Sequence, residues 1–162
     1  MTIVPAIAEP ALELRRILES GELLTPWAEA RCGQRIEADI RASSPFRLFR
    51  DEAAGLGVTE DDNWAALRRA GELVQADGTP VARVTSVVVL SRITPAEAYL
   101  LQATRTPLGS VLGPEASSEV LWCSELVTEA AVACGRTVWR GGKPVASVTD
   151  RVYWSWLGRV SG

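Results

Sequence analysis

The sequence contains no histidine. That absence removes Ser-His-Asp triads, histidine general bases and the catalytic zinc sets that include an imidazole. Cysteine is scarce. Cys32, Cys123 and Cys134 show no CxxC spacing, and an odd count argues against a disulfide scaffold and for a reducing, cytoplasmic setting. Cys134 lies among Ala and Val, where a free thiol is more often a small buried apolar group than a nucleophile. An excess of positive charge is also missing. With a net charge of -3 and a pI near 5.1, a nucleic-acid partner has no bulk electrostatic support, although a few buried arginines can still hold a small anion. No stretch approaches the roughly 18 uninterrupted apolar residues of a membrane helix, so no membrane partner is expected. Met1-Thr2-Ile3-Val4-Pro5 lacks the basic region and long apolar core of a secretion signal.

What is present is enough apolar material for a core: 47% of 162 residues, with 23% charged. One folded domain spanning residues 1–162 is the expected solution. Its organisation shows as a pattern that occurs twice. Ala76-Asp77-Gly78-Thr79-Pro80 leads into an apolar run at 81–90, and Gly141-Gly142-Lys143-Pro144 leads into another at 145–156. Both turns fit hairpins, because glycine supplies positive φ and proline sets the start of the returning strand. Between the halves, Thr104-Arg105-Thr106-Pro107-Leu108-Gly109-Ser110-Val111-Leu112-Gly113 reads as a crossing segment. Pro107 restricts Thr106 to an extended conformation, and Gly109 lets the chain turn over a buried Leu108.

In chain order, residues 10–20 read as a short helix with Ala11, Leu12, Leu14, Ile17 and Leu18 towards one side, ended by Gly21. A second helix begins at Thr25 as N-cap, with Pro26 in its first turn and Trp27 and Ala30 inward, and stops near Gly33. Residues 34–42 alternate Ile36, Ala38 and Ile40 against charged neighbours, the period of a half-exposed strand. Ser43-Ser44-Pro45 breaks it, and a loop or short helical pieces follow from Phe46. Asp61, Asp62 and Asn63 lack calcium-loop spacing and read as capping groups. Residues 81–90, rich in valine, read as a central strand. Thr94-Pro95-Ala96-Glu97 has the form of a helix start, running to about Ala103. Residues 117–134 read as a helix through Leu121, Val127, Ala130, Ala131 and Cys134, with a strand at 119–125 as the alternative. Residues 137–140 and 145–157 close the chain as strands. The fold class is α+β: one antiparallel sheet with helices packed on it. The six tryptophans are core residues or an aromatic ligand platform, since each combines a large apolar ring with one N–H donor.

The turn at residues 76–80, the strand containing Val87-Val88-Val89, the segment Thr106-Pro107-Leu108-Gly109 and Gly142-Lys143-Pro144 together resemble bacterial chorismate pyruvate-lyase from about residue 69 to 154. Leu24-Thr25 is similar to a Met/Leu-Thr pair of that family. The resemblance implies a chorismate lyase-like sheet, shared with effector-binding domains of transcription regulators. It implies elimination of pyruvate from chorismate, or a related enolpyruvyl cyclic acid, to give 4-hydroxybenzoate without any cofactor or metal. It also implies the site residues: Arg69 for the aromatic carboxylate and catalysis, Leu108 and Leu24 against the substrate, and Asp150 as the acid near the departing group. Counting back from Asp77, the family arginine falls on Ala70, one residue from Arg69. Counting forward from Pro144, the family acid falls on Thr149, one residue from Asp150. A single slip turns a strand side chain to the opposite face unless a bulge absorbs it.

The residues support the chemistry directly. An arginine fork recognises a carboxylate bidentately, and a buried acid can protonate a leaving enolpyruvyl oxygen. The bland alternatives are a surface ion pair of Asp150 with Arg151 or Arg140, a solvated Arg69 beside Arg68, and Arg105 at the surface or the pocket entrance. Three functions therefore compete: the lyase, serving quinone formation or secondary metabolism; a non-catalytic domain binding a small anionic cyclic or aromatic acid; and an enzyme of this fold repurposed for another specialised-metabolite step. A regulator's DNA-binding part has too few residues before position 34 for a winged helix. Exposed sheet edges leave monomer and homodimer both open.

Overall fold

The structure is a computed structural model that describes residues 8–126 and 130–160. Both glycine turns close antiparallel hairpins. β2 (Ala65–Gln75) returns as β3 (Pro80–Val89), and β5 (Ala131–Arg140) returns as β6 (Lys143–Tyr153). Gly141 and Gly142 have φ of 61° and 76°, the two positive values that a two-residue type I′ turn needs. β1 (Ile36–Arg47) pairs with β2, and β4 (Ser117–Leu126) pairs with β5. With β3 and β6 paired at the centre, the result is one six-stranded antiparallel sheet in the order β1-β2-β3-β6-β5-β4.

The repeat seen in the turns extends into the strands. Leu73 faces Ala82 while Val74 faces Pro80, so Val81 is an extra residue in β3. Val138 faces Ala146 while Trp139 faces Pro144, so Val145 is the matching extra residue in β6. Arg41 in β1 and Leu121 in β4 form the corresponding outer bulges. Gly71 lies under the first, where a Cβ would stand 2.7 Å from Ile40 Cα, and Gly135 lies under the indole of Trp122 beside the second.

Side-chain alternation sorts the strands onto two faces. On one face Leu73, Ala82, Val132, Cys134 and Val152 meet α1 (Ala8–Glu19), α2 (Leu24–Cys32) and α6 (Trp154–Val160). Trp27 and Trp156 pack edge to face there at 5.9 Å, and the indole N–H of Trp156 donates to Gln75 Oε1 at 2.7 Å. Further along the same face, Leu67, Val88, Val138 and Val148 meet α4 (Pro95–Ala103) and α5 (Leu108–Leu112). The opposite face carries Ala66, Val87 and Val89 beneath α3 (Arg50–Gly55). The start of α4 matches its sequence signature: Thr94 Oγ1 accepts from the Glu97 amide at 3.1 Å, and Glu97 Oε1 accepts from the Thr94 amide at 2.8 Å.

Several expectations need correction. β1 continues through Ser43-Ser44-Pro45 to Arg47, because an edge strand tolerates a missing N–H where its outer amides face no neighbour. Residues 117–126 form a strand rather than a helix, and Val127 lies outside the described residues. α2 starts at Leu24 with Leu23 as an N-cap that makes no side-chain bond, so Thr25 is inside the helix and buried. Ala28 is the inward alanine, while Ala30 and Leu12 are exposed. β6 ends at Tyr153, and residues 154–157 belong to a helix. Leu108 is only partly buried, and Pro107 and Leu112 are the buried residues of the crossing segment. Trp122 is also exposed, unlike the core pair Trp27 and Trp156. Finally, Cys123 and Cys134 stand directly opposite each other in β4 and β5, with Cα atoms 4.2 Å apart, and form a disulfide that leaves Cys32 free. Linear spacing hid this pair because sheet register brings it together, and with Cys123 and Cys134 bonded the cysteines no longer point to a reducing compartment.

Candidate functional site

On the helix-covered face, between the two apolar clusters, the sheet carries polar side chains instead of valine and leucine. Register explains which ones meet. Arg69 on β2 is directly opposite Ser86 on β3, and Ser86 is opposite Val148 on β6. Val148 is in turn opposite Arg136 on β5, with Asp150 one pleat along, opposite Val84 and Cys134. Arg69, Ser86, Arg136 and Asp150 therefore project from the same side of four adjacent strands. Thr25 of α2 and the segment Pro107-Leu108-Gly109 roof them, and Ala38 and Ile40 of β1 form one wall. The result is a narrow pocket with a cavity volume of about 30 Å³, little more than the room of one water molecule. The roof is tied to the sheet edge by the Ala38 amide, which donates to the Arg105 carbonyl at 2.8 Å.

Arg69 is 3% exposed, and its Nε and Nη2 have no hydrogen-bond partner among the described residues. Burial pulls its guanidinium down from the ordinary arginine value to about 10, which leaves it cationic at neutral pH. A buried cation without a counter-charge is unfavourable by several kcal/mol in order of magnitude (~2–5), and it is a standing attraction for an anion. The hydroxyls of Ser86 and Thr25, both in buried residues, add neutral donor and acceptor capacity.

Asp150 is fully buried and belongs to an ion pair rather than standing free. Arg136 Nε donates to Asp150 Oδ2 at 2.6 Å and Arg136 Nη2 donates to Oδ1 at 3.4 Å. A third bond, from Arg136 Nη1 to Ser118 Oγ at 3.0 Å, fixes the fork from β4. Neither Arg151 nor Arg140 fills this role: Arg140 donates instead to Glu97 on α4. Arg136 was not among the residues singled out from sequence. The alternation Cys134, Arg136, Val138 marks it as facing the core, but its partner depends on the Val145 bulge. Without that extra residue Asp150 would oppose Ala133, on the other face of the sheet.

Three of the sequence candidates, Arg69, Leu108 and Asp150, come together in this pocket. Two do not. Leu24 is buried in the cluster under α1 and α6, and its neighbour Thr25 lines the pocket in its place, because adjacent helical residues diverge by about 100°. Thr149 opposes Thr85 and Gly135 on the opposite face, since strand neighbours alternate. Arg105 lies at the surface, donating to Glu37 Oε2 at 3.0 Å. Asp62 acts as a local cap, accepting from the Thr59 amide and hydroxyl. Among the described residues no group of three or more His, Cys, Asp or Glu is placed to hold a metal ion, and no helix is long and apolar enough to cross a membrane.

No protein-family model and no curated protein matches the sequence. Solved structures do match the fold. The effector domain of PhnF from Mycobacterium smegmatis superposes with a TM-score of 0.59 at 16% identity, covering 82% of this chain and 88% of that one. A second structure of PhnF from the same organism gives 0.58 at 15% identity, covering 94% and 89%. The ligand-binding domain of a GntR-family transcriptional regulator from Bordetella bronchiseptica gives 0.52 at 13% identity, covering 74% and 83%. The chain therefore has the α+β, chorismate lyase-like fold found in the effector domains of GntR-family regulators.

Proposed function

We propose that this chain is a non-catalytic binding domain for a small organic acid, with Arg69 as the group that recognises the carboxylate. The observation that carries this reading is a buried guanidinium whose Nε and Nη2 lack a hydrogen-bond partner among the described residues, set in a pocket roofed by Leu108. An arriving carboxylate supplies the missing acceptors and turns an unfavourable buried charge into a bidentate pair. Apolar walls from Ile40, Leu73 and Val84 suit a cyclic or aromatic body. Because the pocket is narrow, a ring seats by displacing Leu108, which is only partly buried and lies on a five-residue helix.

The lyase reading, on chorismate or on another metabolite of this shape, keeps one supporting observation: Asp150 shares the pocket with Arg69 and Leu108. As a general acid, however, Asp150 must carry a proton on an oxygen that here accepts from Arg136. Leaving the pair would strand Arg136 as a second unpaired buried cation. The Arg136–Asp150 pairing favours binding over elimination.

The test combines turnover and binding. Purified protein is incubated with chorismate while pyruvate and 4-hydroxybenzoate are followed, and thermal shifts are recorded with aromatic and aliphatic carboxylates. The expected result is no turnover, with saturable stabilisation by a carboxylate that is lost in Arg69→Met. Equal release of pyruvate and 4-hydroxybenzoate would restore the lyase reading, and carboxylate binding that persists in Arg69→Met would overturn the role of Arg69.

A further inference from the structure

Among the described residues the charged groups lining the pocket are Arg69, Arg136 and Asp150. Arg136 and Asp150 satisfy each other through two hydrogen bonds, and Ser118 occupies Arg136 Nη1. Their charges cancel, so the pocket offers one uncompensated positive charge, on Arg69. A first carboxylate neutralises it. A second has no counter-charge unless Arg136 abandons Asp150, and that exchange leaves Asp150 buried and unpaired, which is no gain.

The ion pair also has something to offer a ligand. An ionised carboxylate has about four acceptor positions, and Arg136 occupies two of those on Asp150. Ser86 and Thr25 bring hydroxyls from the floor and the roof. These groups suit a neutral donor, a hydroxyl or amide N–H, and not a second anion. Geometry says where the donor belongs. β3 lies between β2 and β6, so Arg69 and Asp150 rise from strands whose axes are about 10 Å apart. The two recognition points therefore address opposite ends of a small molecule.

We propose, on the basis of the binding function above, that the pocket is selective for a monoanion carrying a hydrogen-bond donor at the end remote from its anionic group, with the Arg136–Asp150 pair acting as the charge-limiting element. Dicarboxylates of the same size are excluded by charge rather than by shape. This places chorismate, with its two carboxylates, among the disfavoured ligands.

The test uses the wild-type protein and two matched series at constant ionic strength and neutral pH: benzoate, 4-hydroxybenzoate and terephthalate; butyrate, 4-hydroxybutyrate and succinate. Binding is read by calorimetry. In whichever series binds, the hydroxy acid should bind about fivefold more tightly than its parent, and the diacid about tenfold or more weakly. In Asp150→Asn, which frees Arg136 to meet a second carboxylate, the diacid should gain about tenfold or more relative to the hydroxy acid. The double variant Arg136→Gln/Asp150→Asn restores a single net charge and should keep the wild-type order, which guards against a folding defect in the single variant. A diacid that binds the wild type as well as the hydroxy acid does would overturn the charge limit while leaving the anion site intact. Failure of both series to bind would overturn the anion site and the charge limit together.

Discussion

Replacing Arg69 by Met should make the protein more stable while abolishing its ligand binding. Met keeps the length and most of the packing of the Arg side chain and removes only the charged head. The magnitude follows from burial. The guanidinium is pulled from its ordinary value down to about 10 by desolvation alone, and at roughly 1.4 kcal/mol per decade this sets an upper figure of about 3 kcal/mol against the charged form. Relaxation around the pocket lowers that, so a gain of about 1–3 kcal/mol is expected, with Tm rising by about 2–4 °C for each kcal/mol. The direction with pH is also determined. The folded state binds fewer protons than the unfolded chain only between pH about 10 and the ordinary arginine value, so wild-type stability is expected to climb across that window. Below about 10 both states are charged and the penalty is constant, so the advantage of Arg69→Met at neutral pH does not vary with small pH changes. Urea unfolding of both proteins, with calorimetric titration of the best carboxylate, provides the readout. A variant less stable than wild type by about 1 kcal/mol or more would refute the reasoning, because it would mean that the folded state supports the guanidinium.

Asp150→Ala should behave in the opposite way, losing about 3–5 kcal/mol in chemical denaturation because Arg136 is left buried without its partner. Glu97 is held down at about 2, chiefly by hydrogen bonding from Arg140 and with help from the Thr94 amide. Its folded-state value is depressed, so its contribution is present above 4.5 and is lost as pH falls from 4.5 through about 2. Glu97→Gln should therefore lower stability at neutral pH by about 1–2 kcal/mol and flatten the acid limb of the stability profile. Reducing the Cys123–Cys134 disulfide should lower stability by about 2–4 kcal/mol in denaturant titrations. Alkylation before reduction, followed by mass spectrometry, should label Cys32 alone; labelling of all three cysteines would contradict the cross-strand bond.

The parts of the fold that were legible in the sequence share a property: each is specified by neighbours a few residues apart. Thr94-Pro95-Ala96-Glu97 carries both halves of a capping box, and α4 starts there. Gly141-Gly142 and Asp77-Gly78 mark turns that only positive φ can make, and both hairpins form. The strand at β1 and the helix at α1 follow from periods of 2 and 3.6. Where local signals were mixed the reading failed. Residues 117–134 have apolar side chains at both helical and strand spacings, and pairing with β5 decided for a strand. Pro45 signals a break, yet its place on an edge strand removes the penalty that would have made it one. The tryptophans at 154 and 156 continue an apolar run, but the sheet ends at Tyr153 and the chain turns helical to bury Trp156 against Trp27.

The candidate site divides along the same line. Sequence by itself determined the two hairpin turns, the strands at 34–42 and 81–90, and the resemblance that singled out Arg69, Leu108 and Asp150. It could not assign faces, because strand side chains have a period of two and one extra residue inverts everything beyond it. The bulge at Val145 puts Asp150 opposite Cys134 and beside Arg136; a regular ladder would have set it opposite Ala133, away from the pocket. The same rule sends Thr149 to the far side. Tertiary structure also settled the charge balance. Asp150 is partnered by Arg136, fourteen residues earlier, while Arg69 Nε and Nη2 have no hydrogen-bond partner among the described residues, and that difference turns a pair of charged residues expected to act together into one neutralised group and one anion receptor.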